Sequence, residues 1–193
     1  DFDQAISMDP KNYDRLIEIY EALAAHGYRE VGQEYLQNVL DTAKQLDAYD
    51  SGRIYYYLGE YQKAYLALDE ARDKGGADSY LYLGRAYAAT GDYNYASSVY
   101  NNYLSKQGPN AEIYNELGLC EMAKKEYQNA LAAFQAGKQI EGNSLMQTLC
   151  FNEIVAYEYL EDYQQAEILM NAYLQNYPDD QTAIREQQFL STR

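Results

Sequence analysis

One histidine, two cysteines and a surplus of carboxylates are the side chains with which this chain could do chemistry. Hydrolytic chemistry needs a nucleophile beside a base, or paired carboxylates in a sheltered pocket. His26 stands alone, just before Gly27 at an expected turn. Cys120 and Cys150 belong to no CxxC pair, and no HExxH or calcium-loop spacing occurs. Gly75-Gly76 lacks the flanking strand and the Lys-Ser/Thr of a phosphate loop. The sequence therefore offers no catalytic constellation, no metal ligand set and no cofactor motif. The two cysteines are expected to remain free thiols filling space between helices. What remains is chemistry of recognition: arginines, which present a planar fork of donors, and 24 tyrosines, which join a large apolar ring to a polar tip.

These side chains are positioned by a repeat. Leu58-Gly59-Glu60-Tyr61-Gln62-Lys63-Ala64 returns as Thr90-Gly91-Asp92-Tyr93-Asn94-Tyr95-Ala96, then as Lys124-Lys125-Glu126-Tyr127-Gln128-Asn129-Ala130 and Leu160-Glu161-Asp162-Tyr163-Gln164-Gln165-Ala166. The alanines lie 32, 34 and 36 residues apart, a period that suits two helices and two turns. Each string predicts a turn and the start of a second helix, with the acidic residue at the positive end of its dipole. After it runs a stripe spaced by four and three, such as Ala64, Leu68 and Ala71 or Ala130, Phe134 and Gly137. First helices carry Tyr80, Leu83, Gly84 and Tyr87, then Tyr114, Leu117, Gly118 and Glu121. A helical Gly costs about 1 kcal/mol relative to Ala, so its recurrence at Gly52, Gly84 and Gly118 argues for close helix packing.

On these residues the chain resembles tetratricopeptide repeat proteins. The resemblance rests best on Tyr80, Leu83-Gly84, Tyr87, Ala96 and Tyr100, and next on Tyr114, Leu117-Gly118, Ala130 and Phe134. It implies an all-α, right-handed superhelical solenoid of antiparallel helix pairs. One domain is expected over 1–193: a truncated repeat at 1–12, repeats at 13–44, 45–76, 77–110, 111–144 and 145–178, and a capping helix at 180–190. The expected helices are 13–26 and 28–42, 45–58 and 61–74, 78–90 and 93–106, 111–124 and 127–140, and 145–160 and 163–176. Gly75-Gly76, Gly108-Pro109, Gly142-Asn143 and Pro178 punctuate the units. Repeat 13–44 departs most: Tyr20 stands where Gly is usual, Val31 where Ala is usual, and Gly27-Tyr28 lacks the acidic residue between them.

The resemblance also implies a function: a non-enzymatic scaffold whose first helices line a groove for a protein or peptide. The alternatives are a structural spacer or assembly module within a larger protein and, more remotely, an enzyme with an unrecognised site. A peptide receptor should show aromatics in the groove, whereas a spacer should show them at its ends or nowhere. Arg53 and Arg85 occupy equivalent places in adjacent first helices and could accept one partner carboxylate or phosphate, with Tyr49, Tyr56 and Tyr57 beside them. The plain alternative is that they balance acids such as Asp50 and Asp78. Leu81, Asn115, Leu119, Phe151 and Val155 would continue the groove, which becomes apolar toward the C-terminus. Co-chaperone repeats grip a peptide carboxylate with Lys and Asn at the places held here by Tyr49 and Arg53, and by Leu81 and Arg85, so that subtype is not expected.

The chain carries 15 Lys and Arg against 30 Asp and Glu, a formal charge of −15. Nucleic acid and anionic membranes need positive charge from their partners, so neither is expected here. No apolar run is long enough to span a bilayer. Nothing fixes a compartment: the residues suit a soluble domain, cytoplasmic or exported, whose signal or anchor lies outside them.

Overall fold

The computed structural model describes residues 2–43, 45–72 and 76–193, and the described residues form twelve α-helices and no strand. Contacts gather the chain into two compact units, 1–90 and 91–193. The first contains α1 (Phe2–Met8), α2 (Tyr13–Ala25), α3 (Arg29–Thr42), α4 (Ala48–Tyr57), α5 (Tyr61–Ala71) and α6 (Gly76–Ala89). The second contains α7 (Tyr93–Gln107), α8 (Ala111–Ala123), α9 (Tyr127–Lys138), α10 (Met146–Tyr159), α11 (Tyr163–Asn176) and α12 (Gln181–Leu190). Gly75, one half of an expected boundary signal, lies outside the described residues.

Within each unit, successive helices pack on one another, and α4 also touches α6. The turn inside each repeat requires a residue in the left-handed region. Gly27, Gly59 and Gly91 supply it with φ of 85°, 79° and 84°, and Lys125 and Glu161 take the same place at 64° and 62°. The next residue starts the second helix. Asp92 and Asp162 accept there from the backbone N–H of Tyr95 and Gln165, each at 3.1 Å. Glu60 and Glu126 make no such cap, their longer side chains leaving only the favourable charge.

Helix pairs close on a glycine of the first helix and a large side chain of the second. A Cβ on Gly52 would stand 2.5 Å from Leu68 Cγ, and one on Gly118 would run into the Phe134 ring. Ile154 fills the glycine's place in the last repeat, and its partner there is the flexible Met170, both fully buried beside Ala166 and Tyr173. The capping helix α12 adds Ala183 and Leu190 to this cluster.

The first repeat corrects one expectation. Gly32, not Val31, occupies the buried place of Ala64; Val31 is 42% exposed. The helix begins at Arg29, so Tyr28 replaces the acidic residue and Arg29 replaces the usual tyrosine. No residue is missing from the turn. Tyr20 supplies the bulk, and Gly32 supplies the space that the first-helix glycine supplies elsewhere.

Candidate functional site

In the first unit, one face of α2, α4 and α6 carries a continuous polar–aromatic network. Asp14, Glu18 and Glu21 fall on one stripe of α2, Asp50, Arg53 and Tyr57 on one of α4, and Asp78, Tyr82 and Arg85 on one of α6. Arg53 is almost fully buried, 7% exposed, and holds two helices together. Its Nη1 donates to Asp14 Oδ1 at 2.5 Å, and its Nη2 donates to Asp50 Oδ1 at 2.6 Å. The guanidinium lies 4.4 Å from the Tyr49 ring centroid, and its Nε is buried without a hydrogen-bond partner. Burial works against the charge, but the hydrogen bonds to Asp14 and Asp50 outweigh it and raise Arg53 above its ordinary pKa. Asp50 is pushed up by burial, a shift that Arg53 opposes.

The tyrosines form the second half of the network. Tyr57 donates to Glu21 Oε1 at 2.6 Å and shares a hydrogen bond with the Tyr82 hydroxyl at 3.0 Å. Tyr56, Tyr57 and Tyr82 pack edge to face, with centroids 5.4–5.9 Å apart. Burial, then the hydrogen bonds to Glu21 and Tyr82, push the Tyr57 phenol far up. Burial pushes Tyr49 up to about 12, and its hydroxyl reaches Asp78 Oδ2 at 3.5 Å. The Arg85 guanidinium lies 6.0 Å from the Tyr82 ring centroid. Leu81, expected to line the groove, is buried in the core instead, 3% exposed.

The second unit presents a different face. Asn115 is buried and accepts from Asn152 Nδ2 at 2.9 Å. Leu119 is 43% exposed, and Phe151 and Val155 are half-buried, Phe151 edge-on to Tyr173 at 5.8 Å. Tyr173 donates to Asp180 Oδ2 at 2.6 Å and accepts from Gln147 Nε2 at 3.1 Å. Burial, then the charge of Glu186 on α12, raise the Glu158 carboxyl to about 7.

Each predicted site residue thus lies on a first helix. Tyr49, Arg53, Tyr56, Tyr57 and Arg85 join one network in the first unit, while Asn115, Leu119, Phe151 and Val155 lie in the second. Sequence reasoning missed Asp14 and Glu21, the carboxylates that receive Arg53 and Tyr57. Among the described residues, no group of three or more His, Cys, Asp and Glu is placed to hold a metal ion. No described helix is long and apolar enough to cross a membrane. Cys120 and Cys150 are free thiols.

The family model of the tetratricopeptide repeat matches residues 49–96 and 83–143. The chain is a tetratricopeptide repeat protein. Solved structures agree on the fold. TTC0263, a thermophilic repeat protein of Thermus thermophilus, is 16% identical with a TM-score of 0.70, covering 94% of this chain and 100% of that one. YrrB, described as having an unusual peptide-binding site, is 18% identical with a TM-score of 0.63, covering 97% of both chains. A chain of the APC/C hetero-tetramer Cut9–Hcn1 is 17% identical with a TM-score of 0.68; the match covers 99% of this chain and 38% of that one. Among curated proteins, no sequence matches. At these identities the tetratricopeptide likeness establishes the architecture alone.

Proposed function

We propose that this tetratricopeptide repeat protein is a non-enzymatic scaffold that binds a protein or peptide along the first helices of its repeats. The observation that carries this reading is the network of Tyr49, Arg53, Tyr56, Tyr57, Tyr82 and Arg85 on one face of α2, α4 and α6. Half-buried tyrosines held by ring contacts and hydrogen bonds present contact area at low entropic cost. Structural neighbours support the reading: YrrB is described by its peptide-binding site, and the human RPAP3 repeat domain was solved with a peptide. In the second unit, Leu119, Phe151 and Val155 offer apolar contact area on first helices, whereas the buried Asn115 does not. Arg53 acts there as a positioning residue, because its own chain's carboxylates engage both of its Nη groups. An anionic partner group is therefore not favoured at Arg53.

One observation favours assembly through the second helices. Leu66 and Ile168, at equivalent places in α5 and α11, are 68% and 56% exposed. Capture from native extract followed by cross-linking separates the two readings. Wild type, a Tyr56→Ala/Arg85→Ala variant and a Leu66→Ser/Ile168→Ser variant are compared. Loss of a specific partner with the first variant, and cross-links on α2, α4 or α6, are expected. Loss only with the second variant sinks the first-helix site in favour of assembly. Gel shift with duplex and single-stranded DNA should show no binding at physiological salt, as the −15 charge requires.

A further inference from the structure

A cavity of about 500 Å³ opens between the C-terminal ends of α2 and α4. Tyr20, Tyr56, Tyr57 and Tyr61 line it, together with Glu21 and Arg29. The four rings form a chain of contacts, with centroids 5.2 Å apart for Tyr20–Tyr57, 5.4 Å for Tyr56–Tyr57 and 5.8 Å for Tyr56–Tyr61. Phenol faces carry negative potential and attract organic cations. Glu21 adds a full negative charge at the wall. Its Oε1 accepts from Tyr57, and it makes no ion pair with any described residue.

The surroundings carry the same sign. The face of α2, α4 and α6 holds five carboxylates, Asp14, Glu18, Glu21, Asp50 and Asp78, against the guanidinium groups of Arg53 and Arg85. Arg53 is engaged by Asp14 and Asp50, yet the Asp14 side chain remains 76% exposed to solvent. Inside the cavity, the exposed Arg29 donates from Nη1 to the Tyr20 hydroxyl at 3.2 Å. A guanidinium from the chain itself thus already donates to one of these hydroxyls, while Glu21 has no ion-pair partner among the described residues.

We infer that this cavity receives a lysine or arginine side chain of a basic protein segment, its charge set against the tyrosine faces and countered by Glu21. The inference rests on the first-helix binding surface proposed above and names the chemistry of its partner. A basic segment matches the excess of carboxylates along the face of α2, α4 and α6, and the aromatic walls favour a cation over a neutral side chain of equal length.

The probe is a fluorescein-labelled peptide of four Gly-Arg repeats, titrated by anisotropy and mapped by amide chemical shifts. Peptides of four Gly-Gln and four Gly-Glu repeats are the controls. Saturable binding of the arginine peptide alone is expected, with shifts at Glu21, Tyr56, Tyr57 and Tyr61. Glu21→Gln should weaken binding about fivefold, the upper end for a solvent-exposed ion pair. Tyr56→Leu should weaken it about threefold, as loss of one cation–π wall implies. Glu70→Gln, an equal charge change on exposed α5, should leave it within twofold. Circular dichroism confirms that each variant is folded. Equal binding of the arginine and glutamine peptides, no saturable binding, or equal effects of Glu21→Gln and Glu70→Gln would overturn the inference. A partner found by cross-linking on α2, α4 or α6 that ignores Glu21→Gln would overturn it too and leave the binding surface standing.

Discussion

Tyr20 of α2 packs against Gly32 of α3 so closely that a Cβ added to Gly32 would lie 2.9 Å from Tyr20 Cδ2 and 3.3 Å from Tyr20 Cα. The contact reverses the arrangement at Gly52 and Gly118, where the first helix gives the glycine. It makes a prediction with a sign change. In wild type, Gly32→Ala gains about 1 kcal/mol of helix propensity but overpacks chiefly against the Tyr20 ring, which costs about 1–3 kcal/mol. A net loss of about 1 kcal/mol is expected in urea unfolding. In a Tyr20→Ala background the ring contact is gone and only the 3.3 Å approach to the Cα remains, which a small helix shift relieves, so the same substitution should stabilise. A double-mutant cycle reads this coupling directly. Additive effects would show that Tyr20 and Gly32 do not share one space.

That reversal also marks where the sequence was legible and where it was not. Helix limits fell within about three residues of expectation wherever the acid–Tyr pair survived, as at Tyr93 and Tyr163. At Gly27-Tyr28 the acid is replaced, so counting from the tyrosine put Val31 in the core one residue too early. For the site, Arg53 and its neighbour Asp50 could be seen on one helical turn. Asp14 could not, because it stands 39 residues away on another first helix. Glu21 was missed for the same reason, although it lies one repeat before Arg53 and so at the same place in its helix.

Arg53 makes stability, not only binding, sensitive to substitution. Arg53→Ala leaves Asp50 half-buried without its cation and opens a gap beside Tyr49. A loss of about 1–3 kcal/mol is expected, the scale for stripping a partner from a buried charged group. Arg53→Lys should recover only part of it, because one ammonium cannot match the forked reach to Asp14 and Asp50. Thermal melts of the three proteins check the order wild type, lysine, alanine. An alanine variant as stable as wild type would show that the Asp14–Arg53–Asp50 bridge contributes nothing to the fold.

The thiols should be slow as well as free. Burial, with Glu116 and Glu121 near, pushes Cys120 up to about 12, and burial raises Cys150 beside Lys138 and Glu153. The thiolate is the reactive form, so Cys120 should react at pH 8 on the order of a thousandfold more slowly than an ordinary thiol. Titration with a disulfide reagent should therefore be slow in the native protein and rapid for both residues in denaturant, without prior reduction. Fast native labelling of Cys120 would contradict the burial that raises it.

The last expectation concerns Glu158 and the capping helix. Its carboxyl sits at about 7 because burial and the nearby Glu186 of α12 disfavour its ionised form, against an ordinary value of 4.5. Between these two values the native protein holds a proton that the unfolded chain has released. Stability from this group is therefore fully present below about pH 4.5 and is lost as pH rises through about 7. Glu158→Gln keeps the neutral shape and cannot ionise, and Glu186→Gln removes the repelling charge. Either variant should lose less stability than wild type between pH 5 and pH 8, as urea midpoints would read. Hydrogen exchange should place the difference in α12, whose Ala183 and Leu190 pack on the cluster of Ile154 and Met170. Identical midpoint changes in all three proteins would mean that Glu158 ionises in the native state at its ordinary pH.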